Sequence, residues 1–315
     1  MDSPREPHQQ PPETNNKFLE IPSPARQALP LFPSQRLTTN TLSPPRPAPI
    51  ISELTGDKTA TFHFIDGNHE ASPPQGFEEF FGQPPYYRFI TPDDGATANS
   101  TSDVLSLIRD FPGAETPEAT MRELMADGVA DSRRSTRQAV EYLYDVMARS
   151  GPFDGVIGYS EGATVAATLL LCEKARVARG GGPSSLRCGI FFMGWPPMDP
   201  EGFSLVLGDE SRWSIDVPTC HVSEFFAFSY LSYPLPLLWY AGQSLGIGLT
   251  EEAIVGSLDP YLDGSMALYN VCDPETAVIF DHAKGHTLPR EKRLVKELGD
   301  TIREMIARTP EVQVA

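Results

Sequence analysis

The chain has 315 residues, of which 40% are hydrophobic and 10% aromatic, enough for one sizeable core. Acidic residues outnumber basic ones 42 to 25, and the formal net charge of −17 excludes the basic surface that a nucleic-acid-binding protein needs. The four cysteines lie far apart and form no C-x-x-C pair, so we expect free thiols in a reducing compartment. Because the amino terminus carries no apolar signal segment, we expect a cytoplasmic protein.

The first 57 residues differ in composition from the rest of the chain. Twelve of the 31 prolines lie within the first 50 positions, and no hydrophobic period is sustained there. Proline removes a backbone donor and fixes φ, which prevents regular helices and inner strands. We therefore predict a disordered or degenerate segment over 1–57. One globular domain is expected over 58–308, with an apolar insertion at about 223–252 and a tail at 309–315.

From residue 58 onwards, short apolar runs alternate with segments of helical periodicity. The predicted strands are 59–66, 155–159, 188–195, 217–222 and 276–282. The predicted helices are 133–149, 161–178 and 290–307. Buried strands that alternate with helices indicate an α/β protein whose mostly parallel sheet is covered by helices on both faces.

The motif "GYSEG" at 158–162 stands between a predicted strand and a predicted helix. This is the context that a nucleophile elbow requires, in which glycines permit a strained turn and a serine is raised above the edge of the sheet. Ser160 is the candidate nucleophile, and the backbone N–H of Glu161 is a candidate oxyanion donor. The alternative is a plain helix cap, with the Ser160 side chain as the N-cap.

A serine nucleophile needs a histidine base that is oriented by an acid, and in this chain order the acid and then the histidine follow the serine. The favoured base is His286, in a glycine-containing loop before the last helix, and His282 is the alternative. The favoured acid is Asp259, which follows an apolar run and a glycine turn, and Asp263 is its alternative. The other acids in this interval are expected to cap turns or lie in loops: Asp209, Asp216, Asp273 and Asp281.

Five segments resemble, in order, the fungal serine hydrolase family of α/β-hydrolases. They are "FHFIDGNHEASPP", "PPYYRF", "GPFDGVIGYSEGA", "VPTCHV…GSLDP" and "DHAKGHTLPR". The resemblance covers about 58–308 and implies an α/β-hydrolase fold with a Ser160–Asp259–His286 triad. It also implies an esterase or thioesterase that cleaves acyl esters or carrier-bound polyketide thioesters through an acyl-enzyme, in fungal secondary metabolism. No cofactor or metal is expected, since the chain has no P-loop, no dinucleotide fingerprint and no clustered Cys/His ligands.

Two features depart from the pattern of that family. The first strand is normally followed by a His-Gly loop that completes the oxyanion hole, but no His-Gly occurs before Gly56, although Phe18 is a plausible strand start. We therefore expect an abnormal first strand and oxyanion loop. This absence motivates a rival hypothesis, a non-catalytic member of the fold that binds a ligand or a protein partner.

The second departure is the apolar insertion, whose residues 225–250 carry no charge. A membrane span is rejected, because one crossing there would separate Ser160 from Asp259 and His286, and because two prolines would break the helix. Two interpretations stay open: an aromatic lid over an acyl-chain pocket, or an unremoved intron, since deletion of about 222–252 rejoins the strand to the acid turn.

Overall fold

The computed structural model of the chain describes seven stretches of residues. They are 16–21, 48–71, 85–91, 113–126, 132–223, 261–282 and 288–309. The apolar insertion, the favoured acid Asp259 and the favoured base His286 lie outside these described residues.

A parallel sheet of six strands, in the order β2-β1-β5-β6-β7-β8, forms the centre of the described structure. A separate antiparallel hairpin pairs β3 with β4. The strands are β1 (Asn16–Ile21), β2 (Ala60–Phe64), β3 (His69–Ala71), β4 (Tyr86–Arg88), β5 (Gly155–Tyr159), β6 (Cys188–Phe192), β7 (Thr219–Ser223) and β8 (Ala277–Asp281). The helices are α1 (Pro49–Gly56), α2 (Pro117–Ala126), α3 (Arg133–Ser150), α4 (Glu161–Ala178), α5 (Leu262–Tyr269) and α6 (Lys292–Ala307).

The sheet buries both of its faces, as the alternation of side chains along each strand requires. Val156 faces a core shared with α3 and α4, whereas its neighbour Ile157 faces a second core shared with α1 and α6. On β6, Phe191 and Ile190 divide between the same two cores. This arrangement confirms the predicted α/β class, and each predicted strand and helix is present with shifts of a few residues at its ends.

Strand β1 overturns the expectation of a disordered segment and an abnormal first strand for part of the chain. It lies inside the sheet, parallel to β2 on one side and to β5 on the other. Phe18 and Leu19 are fully buried, one in each core, so the short "KFLEI" run supplies apolar surface to both faces. The rest of the proline-rich segment lies outside the described residues, apart from 48–57.

Helix α1 also belongs to the domain, contrary to the predicted boundary at residue 57. Its apolar residues pack into the second core, and its outer side is held by an arginine of α6. Arg303 donates to Glu53 at 2.9 Å and to Asp57 at 2.6 Å. Burial of Ile50 and Leu54 gives this short helix the tertiary packing that eight residues need, because isolated helices of this length are unstable in water.

Asp154 holds together the amino-terminal ends of three strands. Its carboxylate accepts a hydrogen bond from the Lys17 backbone N–H at 2.8 Å and another from the Arg187 guanidinium at 2.8 Å. Its own backbone N–H donates to the Lys17 carbonyl at 2.7 Å. One residue therefore fixes the relative position of β1, β5 and the entry to β6.

Helices α2 and α5 pack against each other around a small third cluster of apolar residues. Two polar contacts join them: Thr120 donates to Asp263 at 2.7 Å, and Asn270 donates to Glu118 at 2.7 Å. Among the described residues, no helix is both long enough and apolar enough to cross a membrane.

Candidate active site

Ser160 occupies a strained turn between the end of β5 and the start of α4. Its φ of 52° and ψ of −120° lie in a region that residues with a side chain rarely adopt, at a cost of roughly 1–3 kcal/mol. The Ser160 N–H donates to the Phe192 carbonyl at 2.7 Å, and the Ser160 carbonyl accepts from the Ala163 N–H at 2.9 Å. Contacts on both sides of the residue thus maintain the turn.

Gly158 is required by the close approach of α4 to β5. A Cβ at this position would lie 2.6 Å from Ala163 Cα and would also collide with the Gly162 carbonyl group. Because these are backbone atoms, no change of rotamer could relieve the overlap. The first glycine of the motif therefore has the role that the sequence pattern predicted.

The Ser160 hydroxyl does not cap the helix that follows it. Ser160 stands at the N-cap position of α4, but its side chain makes no capping hydrogen bond, and the residue is partly exposed. The helix-cap alternative is therefore wrong. The hydroxyl lies instead at the positive end of an 18-residue helix, where developing negative charge is favoured. The Glu161 N–H stands at the first helical position, where a helix offers no internal acceptor.

The Glu161 side chain reaches a segment 72 residues earlier in the chain, a contact that no sequence signal announced. Its Oε1 accepts from the Phe89 N–H at 2.7 Å and from the Ile90 N–H at 3.3 Å. Its Oε2 pairs with the Arg88 guanidinium at 3.2 Å, and the side chain is only 15% exposed. Burial raises the pKa of Glu161 above its usual value, against the lowering effect of Arg88 and the two backbone donors.

Asp263 and three of the aspartates expected to cap turns or lie in loops each bond a group outside the GYSEG elbow. Asp263, the alternative acid, bonds Thr120 of α2. The others bond as follows: Asp209 pairs with Arg122, Asp216 with Lys174 and Ser214, and Asp273 accepts from the Glu275 N–H. Asp281 is exposed at the end of β8.

His282, the alternative base, is 2% exposed. Its backbone N–H donates to the carbonyl of Ser223 at 3.2 Å. It lies beyond β8, three strands from β5, or about 14 Å across the sheet at roughly 4.8 Å per strand. Leu288, on the other side of the loop with His286, is buried in the core that contains Tyr159. The residue before that loop therefore lies at the carboxyl edge of the sheet, the edge at which β5 also ends.

The residues that follow Asp259 also lie near the elbow. The Tyr261 ring is 6.3 Å from the Trp195 ring, and the backbone of Gly264 lies so close to Trp195 that a Cβ would meet the indole nitrogen at 2.7 Å. The Trp195 N–H in turn donates to Thr164 at 2.9 Å, in the first turn of α4. This chain of contacts joins the start of α5 to the first turn of α4, the helix that follows Ser160.

The profile of the Serine hydrolase (FSH1) family matches residues 50–298. The chain belongs to this family. It is therefore a serine hydrolase, and its parallel sheet and elbow are those of an α/β-hydrolase.

Among the relatives of this FSH1 serine hydrolase are proteins named as fungal hydrolases and esterases. Hydrolase phiM of a fungal species (strain ATCC 74256) is 27% identical over 190 residues, covering 58% of this chain and 72% of that protein. Esterase FPY3 of Fusarium mangiferae is 24% identical over 244 residues, covering 76% and 78%. A carboxylesterase structure from Mesorhizobium loti aligns over 94% of this chain and 90% of its own, with 11% identity and a TM-score of 0.39.

The loop that is expected to carry the second oxyanion donor follows β1. Strand β1 places Ile21 beside Gly158, so the chain leaves the sheet after residue 21 at the same edge as the elbow. The residues immediately after it lie outside the described part of the chain.

The aromatic residues between positions 80 and 89 could line an acyl pocket, and those that the structure describes divide between the core and the partly exposed surface. Tyr86 is 3% exposed and Phe89 is 1% exposed, so both rings pack in the interior rather than line an open pocket. Phe80 and Phe81 lie outside the described residues, whereas Tyr87 is partly exposed. The four cysteines are free and buried, as predicted. Within the described stretches, no group of three His, Cys, Asp or Glu residues is arranged to hold a metal.

Proposed function

We propose that this FSH1 serine hydrolase cleaves a hydrophobic acyl ester or a carrier-bound acyl thioester through a covalent acyl-enzyme. Ser160 is the nucleophile, His286 the general base and Asp259 the acid that orients His286. The observation that carries the proposal is the strained backbone of Ser160, held with a non-capping hydroxyl at the amino-terminal end of α4.

The reaction follows from the position of the hydroxyl. Ser160 Oγ attacks the acyl carbonyl while His286 accepts the hydroxyl proton, and the Glu161 N–H donates to the oxygen that becomes negatively charged. The C–O or C–S bond then breaks, and His286 returns the proton to the leaving alcohol or thiol. His286 then takes a proton from water, whose oxygen attacks the acyl carbonyl; the bond between that carbon and Ser160 Oγ breaks, and His286 returns the proton to Oγ as the carboxylic acid leaves.

The choice of an acyl substrate is supported by the relatives, which include proteins named esterases. The fungal resemblance favours a small-molecule substrate in secondary metabolism, with a polyketide synthase carrier domain as the partner that presents a thioester. Hydrolysis rates for acyl thioesters and aryl esters of the same chain length distinguish the two substrate classes.

Cytoplasmic location stays a prediction. The free, buried state of all four cysteines is compatible with a reducing compartment. Fractionation of cells that express a tagged full-length chain measures it directly.

Labelling with a fluorophosphonate tests the nucleophile. The wild-type protein should be labelled, and Ser160→Ala should abolish labelling without unfolding the protein. A folded wild type that resists the reagent would instead favour the rival hypothesis of a non-catalytic binding protein. The rival is motivated by the missing His-Gly loop alone, since β1 pairs normally with β2 and β5.

Substitution of each histidine tests the base. His286→Ala should slow ester turnover by several orders of magnitude, because the members of a triad act as a unit. His282→Ala should change turnover far less, since His282 lies buried three strands from β5. A mild effect of His286→Ala together with a severe effect of His282→Ala would move the base to His282.

A further inference from the structure

We infer that the Glu161 carboxylate is a positioning group for the reaction: anchored by Arg88, Phe89 and Ile90, it fixes the direction of the Glu161 N–H that faces the developing oxyanion. This inference rests on the proposed role of Ser160 as nucleophile. It concerns a side chain that the G-x-S-x-G pattern leaves open, because the motif specifies only the serine and the glycines.

The Glu161 carboxylate is held by three hydrogen-bond donors. One carboxylate oxygen accepts two consecutive backbone N–H groups, those of Phe89 and Ile90, and the other oxygen pairs with Arg88. Hydrogen bonds to a charged acceptor are roughly twice as strong as those between neutral groups. Three donors from three consecutive residues therefore hold the side chain in a single direction.

The segment Arg88–Ile90, which supplies these donors, is itself held in place. The Arg88 backbone packs against Gly67 so closely that a Cβ on Gly67 would lie 2.7 Å from the Arg88 nitrogen. Phe89 is buried in the core against Tyr142, with the two ring centroids 6.5 Å apart. Ser135 of α3 accepts from the Thr91 N–H at 3.0 Å and donates to the Thr91 carbonyl at 2.7 Å.

The anchored Glu161 side chain restricts the backbone next to the nucleophile. The Glu161 peptide N–H and side chain share one Cα, so a side chain fixed by three donors restricts rotation of the peptide next to Ser160. The Ser160 backbone is strained, and strained conformations persist only where their surroundings determine them strongly. Arg88 also balances the carboxylate charge, which would otherwise oppose the negative charge that forms on the substrate oxygen.

The experiment compares Glu161→Ala, Glu161→Gln and Ser135→Ala in the full-length chain. Glu161→Ala removes all three anchoring contacts. Glu161→Gln keeps an oxygen for Phe89 and Ile90 but places an amide against Arg88. Ser135→Ala is the matched control, since it removes only the contacts of Thr91, next to the anchor, and leaves the three donors to Glu161 and the packing of Phe89 in place.

We expect Glu161→Ala to lower kcat by about 10²-fold, the lower end of the cost of losing one oxyanion donor, with KM changed by less than about threefold. Glu161→Gln should recover part of this loss and remain about tenfold below the wild type, whereas Ser135→Ala should stay within about threefold of it. The rate of fluorophosphonate labelling should fall in proportion to kcat, because the phosphoryl oxygen occupies the oxyanion position.

The inference is overturned if Glu161→Ala and Ser135→Ala have equal kcat, which would make the contact merely structural. It is also overturned if Glu161→Ala raises KM and leaves kcat unchanged. Should Glu161→Ala fail to fold by circular dichroism, the contrast between Glu161→Gln and Ser135→Ala decides, with equal kcat again the negative result. Failure of the proposed function is distinguishable, because the wild type itself would then not be labelled.

Discussion

Gly158→Ala tests whether the elbow depends on the close approach of backbone to backbone. The added Cβ would lie 2.6 Å from Ala163 Cα, whereas carbon atoms in favourable contact are about 3.5–4.0 Å apart. The overlap is therefore about 1 Å, and the atoms that it meets belong to the backbone of α4. The first turn of this helix must move by about that distance relative to β5, and Ser160 must move with it.

The expected cost has two parts. Forcing an extra methyl into a tightly packed site costs typically 1–3 kcal/mol of unfolding free energy, which corresponds to about 2–4 °C in Tm for each kcal/mol in a domain of this size. Misplacement of a reacting group by about 1 Å costs about 10²-fold in rate. We therefore expect Gly158→Ala to lower Tm by several degrees and kcat by about 10²-fold, measured by calorimetry and by ester hydrolysis.

Gly56→Ala is the matched control for this prediction. A Cβ at Gly56, the last residue of α1, would meet no atom within 4 Å, and alanine is favoured over glycine in helices. This variant should keep the wild-type kcat and a Tm at or slightly above that of the wild type. A Gly158→Ala protein with unchanged Tm and unchanged kcat would refute the geometric reasoning.

Two further predictions concern stability. Asp154→Ala should lower the free energy of unfolding by about 2 kcal/mol in urea titrations, because the Lys17 N–H and the Arg187 guanidinium both lose their acceptor. Glu173→Gln should lower the free energy of unfolding by a similar amount at pH 7 but by less in acid. Burial alone would raise the pKa of Glu173, yet hydrogen bonds from groups such as Arg176 leave this pKa below the ordinary 4.5. A lowered pKa stabilises the folded state above pH 4.5, and this stabilisation is lost as the pH falls through the pKa of the folded state. The difference in unfolding free energy between the wild type and Glu173→Gln should therefore shrink below about pH 4.5. A difference that stays constant with pH would contradict this prediction.

The elbow could be predicted from the sequence because its determinants are local. Two glycines, a serine and the change from an apolar run to helical periodicity all lie within a few residues. The predicted strand at 188–195 was too long for an equally local reason, which the residue types did not reveal. Met193 has a φ of 51°, so β6 ends at Phe192 and the chain turns towards α4.

Helix α2 was missed although its start carries a recognisable signal. Thr116 precedes Pro117 and Glu118, and its hydroxyl accepts from the Ala119 N–H at 3.1 Å, as an N-cap does. Proline at the first helical position and an acid in the first turn complete the pattern. The composition of its surroundings, rather than the absence of a signal, concealed this helix.

Phe18 was a plausible strand start, but neither the place of β1 inside the sheet nor the Glu161 anchor could be predicted in the same way. The partners of β1 lie about 40 and 135 residues further along the chain, and its six residues show no period that distinguishes them from an irregular segment. The contact of Glu161 with Arg88 likewise arises only when the hairpin β3–β4 is placed beside α4. Pairings of this kind are properties of the tertiary fold, and local propensity carries no record of them.

The position of β1 has a practical consequence for anyone who shortens this chain. The region recognised by the family profile begins at residue 50, yet a protein expressed from that point would lack the strand between β2 and β5. The remaining sheet would have a slot in its interior, with two rows of unpaired backbone groups facing each other across it. Such rows recruit extended segments from other molecules, so a chain cut at the boundary of the profile is a candidate for aggregation or strand exchange, whereas a chain that keeps Asn16–Ile21 is not exposed to that hazard at this site.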